Sequence, residues 1–198
     1  MLQPVMDSKG VRRRATYDDL LQVPDHLVAE IVDGVLYTSP RPAFRHARAG
    51  SKLGMDLSPF DESGGELGGW WILDEPELHC GSDVVVPDLA GWRVERMPAL
   101  PDVNFSTLAP DWICEVLSPS TARLDRDKKL GIYAHVQVRH ARLLDPIAKT
   151  IELLVLKGSR WTLHATYRNN DRIRALPFDT IEIDMAGLWA EARTAARR

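Results

Sequence analysis

The stretch Trp112-Ile113-Cys114-Glu115-Val116-Leu117-Ser118-Pro119-Ser120-Thr121 decides how the chain reads. Trp112 to Leu117 is an apolar run of strand length. Ser118 to Thr121 supplies capping hydroxyls and a proline suited to a first helical turn. Glu115 sits in the middle of the apolar run. An unpaired carboxylate in an apolar interior is costly, so Glu115 requires a metal ion, a lysine or arginine, or a proton.

Downstream, a helix is expected from Ala122 to about His135, with Leu124, Leu130, Tyr133 and Ala134 as apolar contacts. Asp125, Lys129 and Tyr133 recur at four-residue spacing and share one face. Upstream, Val84 to Trp92 reads as one strand, apolar on both faces and therefore covered and central. Pro87 removes a ladder donor there and marks an edge or a bulge. Asp88 is a second acid set into an apolar run. Val28–Val32 and Val35–Tyr37 flank Asp33-Gly34, a pair suited to a two-residue hairpin turn. Glu30 shares a face with Val28 and Val32.

Arg45 to about Leu57 reads as a helix with Ala49, Leu53 and Leu57 as its core stripe. His46, near its start, is either a surface or capping residue or a contact of the site. Trp70–Leu73 reads as a strand, with Glu77–Cys80 as its continuation beyond Pro76. Strands are also expected at Val138–Leu144, Ile151–Leu156, Trp161–Tyr167 and Ile181–Ile183. A short helix is expected around Tyr17–Leu21, and a C-terminal helix from Ala186 to Ala196.

The chain has 198 residues, 44% of them apolar, and a net charge of -3. This is enough for one domain with a sizeable core. Residues 1–15, with Arg12-Arg13-Arg14, read as a flexible arm, and 16–198 as a single domain. The charge creates no global attraction to nucleic acid or to an anionic membrane. Two cysteines, Cys80 and Cys114, are too few for a disulfide framework. With no apolar run of spanning length and no signal-peptide pattern, a cytoplasmic setting without membrane contact is the expectation.

Glu30, Asp88 and Glu115, with Lys129, form the candidate site. Two or three carboxylates suit a hard divalent cation such as Mg2+. Such a cation polarises a phosphoryl oxygen and acidifies a bound water, while a nearby ammonium steadies the developing negative charge. Residue types alone leave a structural reading open, because buried acids also pair with Lys or Arg.

Val86-Pro87-Asp88-Leu89-Ala90-Gly91-Trp92 and Pro110 to Thr121 are followed by Asp125, Lys129, Tyr133 and Asp145-Pro146. This ordered set resembles the Uma-type putative restriction endonucleases, a branch of the PD-(D/E)xK nuclease superfamily. Glu30 with Asp33-Gly34, Arg45-His46, and Gly69 to Leu78 fit as well, so the likeness spans roughly residues 16 to 190. The resemblance implies an α/β (α+β) domain with a mixed central β-sheet flanked by helices. It also implies a DNA endonuclease dependent on Mg2+, with Mn2+ able to substitute. Asp88 and Glu115 would be the metal ligands and Glu30 a further acid nearby. His46, Asp125 and Tyr133 would support them.

Three departures stand out. The superfamily lysine two residues after the acid is Leu117 here; the resemblance implies that Lys129 on the next helix takes its role, with Lys128 as a stand-in. Gln137-Val138 replaces a glycine before valine, and an aromatic near Arg142 is missing. These put local packing and a homodimer surface in question more than the chemistry. A catalytically inactive relative, kept for nucleic-acid binding or self-association, is the alternative. For binding, Arg41, Arg45, Arg48, Arg123, Arg126 and Lys128 would form a basic rim. No glycine-rich phosphate loop supports a small-molecule phosphate hydrolase, and no Ser or Cys nucleophile has a clear base.

Overall fold

The computed structural model describes residues 2–3, 5–6, 10, 12–61 and 65–189. Near the N-terminus, β1 (Leu2–Gln3) pairs with the hairpin that follows, and β2 (Val5–Met6) pairs with β3 (Arg12–Arg13). The segment expected to be a flexible arm thus carries backbone pairing, and the Arg13 side chain holds Asp19 at 2.6 Å.

Helix α1 (Tyr17–Leu20) starts at Thr16 in a capping box with Asp19. Strands β4 (Leu27–Val32) and β5 (Val35–Pro40) form the expected hairpin, with positive φ at Asp33 and Gly34. Helix α2 (Phe44–Leu57) buries Ala49, Leu53 and Leu57 completely, as its periodicity predicts.

The next strands correct the sequence reading. Strand β6 (Trp70–Asp74) and β7 (Glu77–Cys80) belong to different sheets, and so do β8 (Asp83–Val85) and β9 (Leu89–Arg93). The chain passes from one sheet to the other at Glu75-Pro76 and returns at Val86-Pro87-Asp88. Glu75 turns with φ 46. Pro87 therefore marks a change of sheet rather than a bulge or edge, because its missing N–H ends the ladder at that point.

Strand β10 (Phe105–Ser106) closes one sheet beside β7, and β11 (Trp112–Val116) is the strand of the opening stretch. Among the described residues the first six-stranded sheet runs β1-β5-β4-β8-β7-β10. The second runs β14-β13-β12-β11-β9-β6, with β12 (His140–Asp145), β13 (Thr150–Lys157) and β14 (Arg160–Arg168). Both sheets are mixed. β11 is parallel to β12 and antiparallel to β9, pairing Glu115 with Leu143 and Cys114 with Leu89. The fold is α+β, with most of its strands in two six-stranded mixed sheets and the rest in two-stranded pairs.

A parallel pair needs a crossover. Here it is α3 (Ala122–Leu124), a wide π turn over Asp125–Lys129, and α4 (Leu130–His135). The sequence predicts the helix but not its π turn. A hairpin of β15 (Arg172–Ala175) and β16 (Phe178–Asp184) covers the second sheet with Ile173, Ala175, Phe178 and Ile183. The expected C-terminal helix lies largely outside the described residues, within which Met185–Gly187 makes a single 3-10 turn.

β11 is the partition between two cores. Trp112, Cys114 and Val116 face the core with α2 and the β15–β16 hairpin. Ile113 and Leu117 face the core with Ile132 and Tyr133 of the crossover. Gly91 on β9 admits this packing: a Cβ there would meet the Trp112 and Trp70 rings at 3.3 Å. Both cysteines are free and buried.

Candidate active site

The period of two along β11 points Glu115 to the crossover side, where it is 2% exposed. The crossover returns over its own strand and brings Lys129, also 2% exposed, against it. Lys129 Nζ lies 2.9 Å from Glu115 Oε1 and 2.8 Å from Glu30 Oε1. It also donates to the Val86 carbonyl at 3.1 Å and stands 3.7 Å from Asp125 Oδ1. The shared face predicted for Asp125, Lys129 and Tyr133 is buried as a unit. Tyr133 completes it, its hydroxyl donating to Glu115 Oε1 at 2.5 Å.

Asp88 arrives from the start of β9, where the β9–β11 ladder ends at Leu89 and Cys114. Its Oδ2 accepts the Val116 amide at 2.7 Å and so replaces the next rung. Its Oδ1 lies 3.4 Å from His46 Nε2. The surface reading of His46 therefore gives way to the site reading: the start of α2 aims the imidazole at Asp88. Glu30 is fixed from the other sheet, its Oε1 accepting the Val86 amide at 2.9 Å.

All these groups except Tyr133 line one cavity of about 340 Å³. Arg41 was expected only in a basic rim, and sequence reasoning gave Glu75, Ser118, Ser120 and Thr121 no place in the site. Arg41 and Glu75 pair across the mouth at 3.1 Å, and Ser118, Ser120 and Thr121 form the opposite lip. Glu75 owes its place to the positive φ that precedes Pro76, which sequence does not encode in a readable way. The Ser118–Thr121 segment was legible only as a helix start. Lys128 points elsewhere and pairs with Asp33 at 2.7 Å, so it is no stand-in for Lys129. Leu117 is buried in the crossover-side core.

The electrostatics follow from burial and crowding. Burial raises the Glu115 carboxyl well above its usual range against the pull of Lys129. Asp88 is raised in the same way, against His46, the Val116 amide and Lys129. Asp125 is pushed up to about 6, again chiefly by burial. Burial alone would lower Lys129, but Glu115 and Glu30 outweigh it and hold the ammonium well above its ordinary value. Carboxylates outnumber cations here, so the cluster carries excess negative charge in a low-dielectric site.

That donor set fits a hard divalent cation. Asp88, Glu115 and Glu30 offer carboxylate oxygens at one cavity, with no thiolate among its lining residues. Among the described residues no group of three or more His, Cys, Asp or Glu side chains is gathered at ligand spacing. A cation would therefore rely on two carboxylates and water, a coordination habitual for Mg2+.

The chain matches the Uma2 family, described as putative restriction endonuclease, over residues 15–186. No curated protein matches it. Among solved structures it is similar to a putative nuclease of the DUF820 group from Anabaena variabilis. That match has 19% identity and a TM-score of 0.70, covering 88% of this chain and 97% of that one. The family match takes in the β4–β5 hairpin, the second sheet and the crossover that carries Lys129. By its sequence match and its nuclease-like fold, the chain belongs to the Uma2 family of putative restriction endonucleases.

Proposed function

We propose that the protein is a metal-dependent DNA endonuclease that hydrolyses phosphodiester bonds, with Mg2+ as its cation and Mn2+ as a substitute. One observation carries this reading: acids from β4, the start of β9 and β11, and an ammonium from the crossover, meet in one cavity. When bound, the cation supplies Lewis acidity toward the scissile phosphate and a more acidic water. Asp88 and Glu115 are the residues that would hold it.

The chain's own groups do the rest. Lys129 stays protonated between Glu115 and Glu30, so it acts as a fixed positive charge and not as a general base. Its ammonium steadies the charge that develops on the phosphoryl oxygens. Tyr133 keeps its proton, because burial and then Glu115 raise the phenol well above its usual value. It therefore donates to Glu115 and fixes the carboxylate's orientation. His46 holds the outer oxygen of Asp88, and Glu30 holds Lys129 from the second sheet.

The expected setting is cytoplasmic. Among the described residues no helix is long and apolar enough to cross a membrane. The alternative of a fold kept only for nucleic-acid binding draws little support from the expected rim. Arg41, Arg123, Arg126 and Lys128 are each engaged with an acid of the chain, and Arg48 donates to the Gly187 carbonyl.

Nicking of supercoiled plasmid tests the proposal. Wild type should nick in Mg2+ and stop on chelation, and Asp88→Ala should be inactive in both conditions. Equal nicking by the two proteins, or none by either, would overturn the assignment.

A further inference from the structure

A second cavity, of about 450 Å³, lies toward the other end of the β11–β12 pair. His140 is in register with Trp112 and Leu143 with Glu115, so His140 and Glu115 stand three rungs, about 10 Å, apart along the strands. Among the described residues the two cavities share no lining residue. The second is walled by Gln137 after the crossover, Arg139 and His140 at the entry to β12, Gly158 between β13 and β14, and Arg96 in the turn after β9. No acid is among its lining residues, in contrast to the first.

Its basic groups are fixed in place without being neutralised. The Arg139 carbonyl accepts the Leu156 amide at 3.0 Å, and the His140 amide donates to the Asp111 carbonyl at 3.3 Å, which holds the backbone under both side chains. Yet Arg139 is exposed, and its guanidinium has no hydrogen bond or ion pair among the described residues. Arg96 is held through Nη1 by Asp111 Oδ1 at 2.9 Å, which orients its fork and leaves donors to spare. The other Asp111 oxygen accepts the Arg93 amide at 2.9 Å, so this acid is already engaged on both sides. His140 Nδ1 is sealed from solvent with no hydrogen-bond partner among the described residues. A buried N–H without an acceptor is rare, so the ring proton sits on Nε2, the nitrogen left to a ligand. Burial, then Arg142, Arg139 and Arg93, lowers the imidazole against the pull of Asp111, so it stands as a neutral donor. Gln137, at the place where the family resemblance expects glycine, turns with φ 64 and closes its side-chain amide on the Ala134 carbonyl at 3.0 Å. One wall of the cavity is thus a departure from the family pattern.

Positive charge drawn from separate elements, with no free acid to answer it, calls for an anion. Guanidinium forks match the paired oxygens of a phosphate, and the volume admits more than a bare ion. We propose that this cavity is a phosphate-binding site distinct from the acidic one, with Arg96 and Arg139 on the phosphoryl oxygens and His140 donating a further hydrogen bond. The phosphate belongs to a nucleotide, either in the backbone of DNA or free as a mononucleotide. The site shares no residue with the nuclease reading and does not depend on it.

Calorimetric titration of the full-length, metal-stripped protein with inorganic phosphate and with deoxyadenosine monophosphate tests the site. Without metal the acidic cavity repels phosphate, so binding reads the basic one. Wild type and Asp88→Ala should both bind saturably. Arg139→Gln should raise Kd by roughly 10- to 100-fold, the scale of one charged hydrogen bond. Arg172→Gln, at an exposed arginine of the β15–β16 hairpin, should leave Kd unchanged. Fluorescence anisotropy of a labelled DNA duplex in the same buffer separates the two sources. If DNA is held here, Arg139→Gln weakens it and lowers the slope of log affinity against log salt by about one, and Arg172→Gln does not. If the free nucleotide is the ligand, both variants bind DNA alike and only the calorimetry responds to Arg139→Gln. No response to Arg139→Gln in either assay would overturn the site, as would equal losses in Arg139→Gln and Arg172→Gln, which read general charge. Phosphate binding that depends on Arg139, in a protein that never nicks plasmid, would support the site while removing the nuclease reading.

Discussion

Lys129 and Arg142 are cations sealed on opposite faces of the same pair of strands, and their surroundings differ. Lys129 has three carboxylates within 4 Å and the Val86 carbonyl besides. Arg142, in register with Cys114, donates through Nη2 to the Ala175 carbonyl at 2.7 Å. Its guanidinium carbon lies 5.4 Å from the Trp112 and Phe178 rings, and its Nε and Nη1 have no hydrogen-bond partner. Burial lowers Arg142 to about 10, whereas the acids around Lys129 raise it. One side of the sheet carries excess anion around a cation; the other carries a cation without an anion. Only the first arrangement gains from an added divalent ion.

The largest expected effect separates these two sites by activity. Lys129→Met should cut the Mg2+-dependent nicking rate by about 10²- to 10³-fold, the scale of losing one preorganised charge contact. Arg142→Met should leave that rate unchanged. Equal losses in both variants would show that the activity assay reads folding and not the site.

A second contrast lies in pH dependence. Asp125 is raised to about 6, so the folded state holds its proton more tightly than the unfolded chain does. Its contribution is favourable below the unfolded value near 4 and is lost as pH rises through about 6. Urea unfolding of the metal-free protein should therefore lose up to roughly 3 kcal/mol between pH 4 and pH 7 from this group. Asp125→Asn should flatten that slope, while Arg142→Met should not touch it.

Tyr133→Phe should cost about 2 kcal/mol by removing a hydrogen bond to a buried charged group, measured by chemical unfolding at pH 7. The smallest effect belongs to Arg142→Met. Replacing an incompletely paired buried ion with an apolar side chain should be neutral or stabilising by about 1 kcal/mol. A loss above about 3 kcal/mol would mean that the carbonyl and ring contacts carry the guanidinium after all.

The legible parts of the site share one property: each contradicts its neighbourhood. Glu30, Asp88 and Glu115 are acids in apolar runs, and Lys129 falls at helical spacing from Asp125 and Tyr133. Such conflicts are legible because an ionisable group buried among apolar neighbours calls for a partner. Arg142 breaks the same rule, but inside the strand expected at Val138–Leu144 it follows Arg139-His140-Ala141, and nothing marks it as buried until the β15–β16 hairpin covers it. The division of Val84–Trp92 between two sheets was hidden because apolar content on both faces marks burial without saying which sheet does the burying. Glu75 was missed for a backbone reason, since a positive φ outside glycine leaves no trace in composition. The π turn at Asp125–Lys129 likewise changes no side-chain pattern, only the width of one turn.

The two passages at Glu75-Pro76 and Val86-Pro87-Asp88 have a mechanical consequence. Glu30 belongs to one sheet and Glu115 to the other, and a single ammonium joins them across the seam. Sliding one sheet past the other by a rung would leave most backbone pairing intact yet pull the acids apart. The pocket therefore works as a gauge of assembly: a chain with both sheets formed but misdocked keeps its secondary structure and loses the cluster of acids around Lys129.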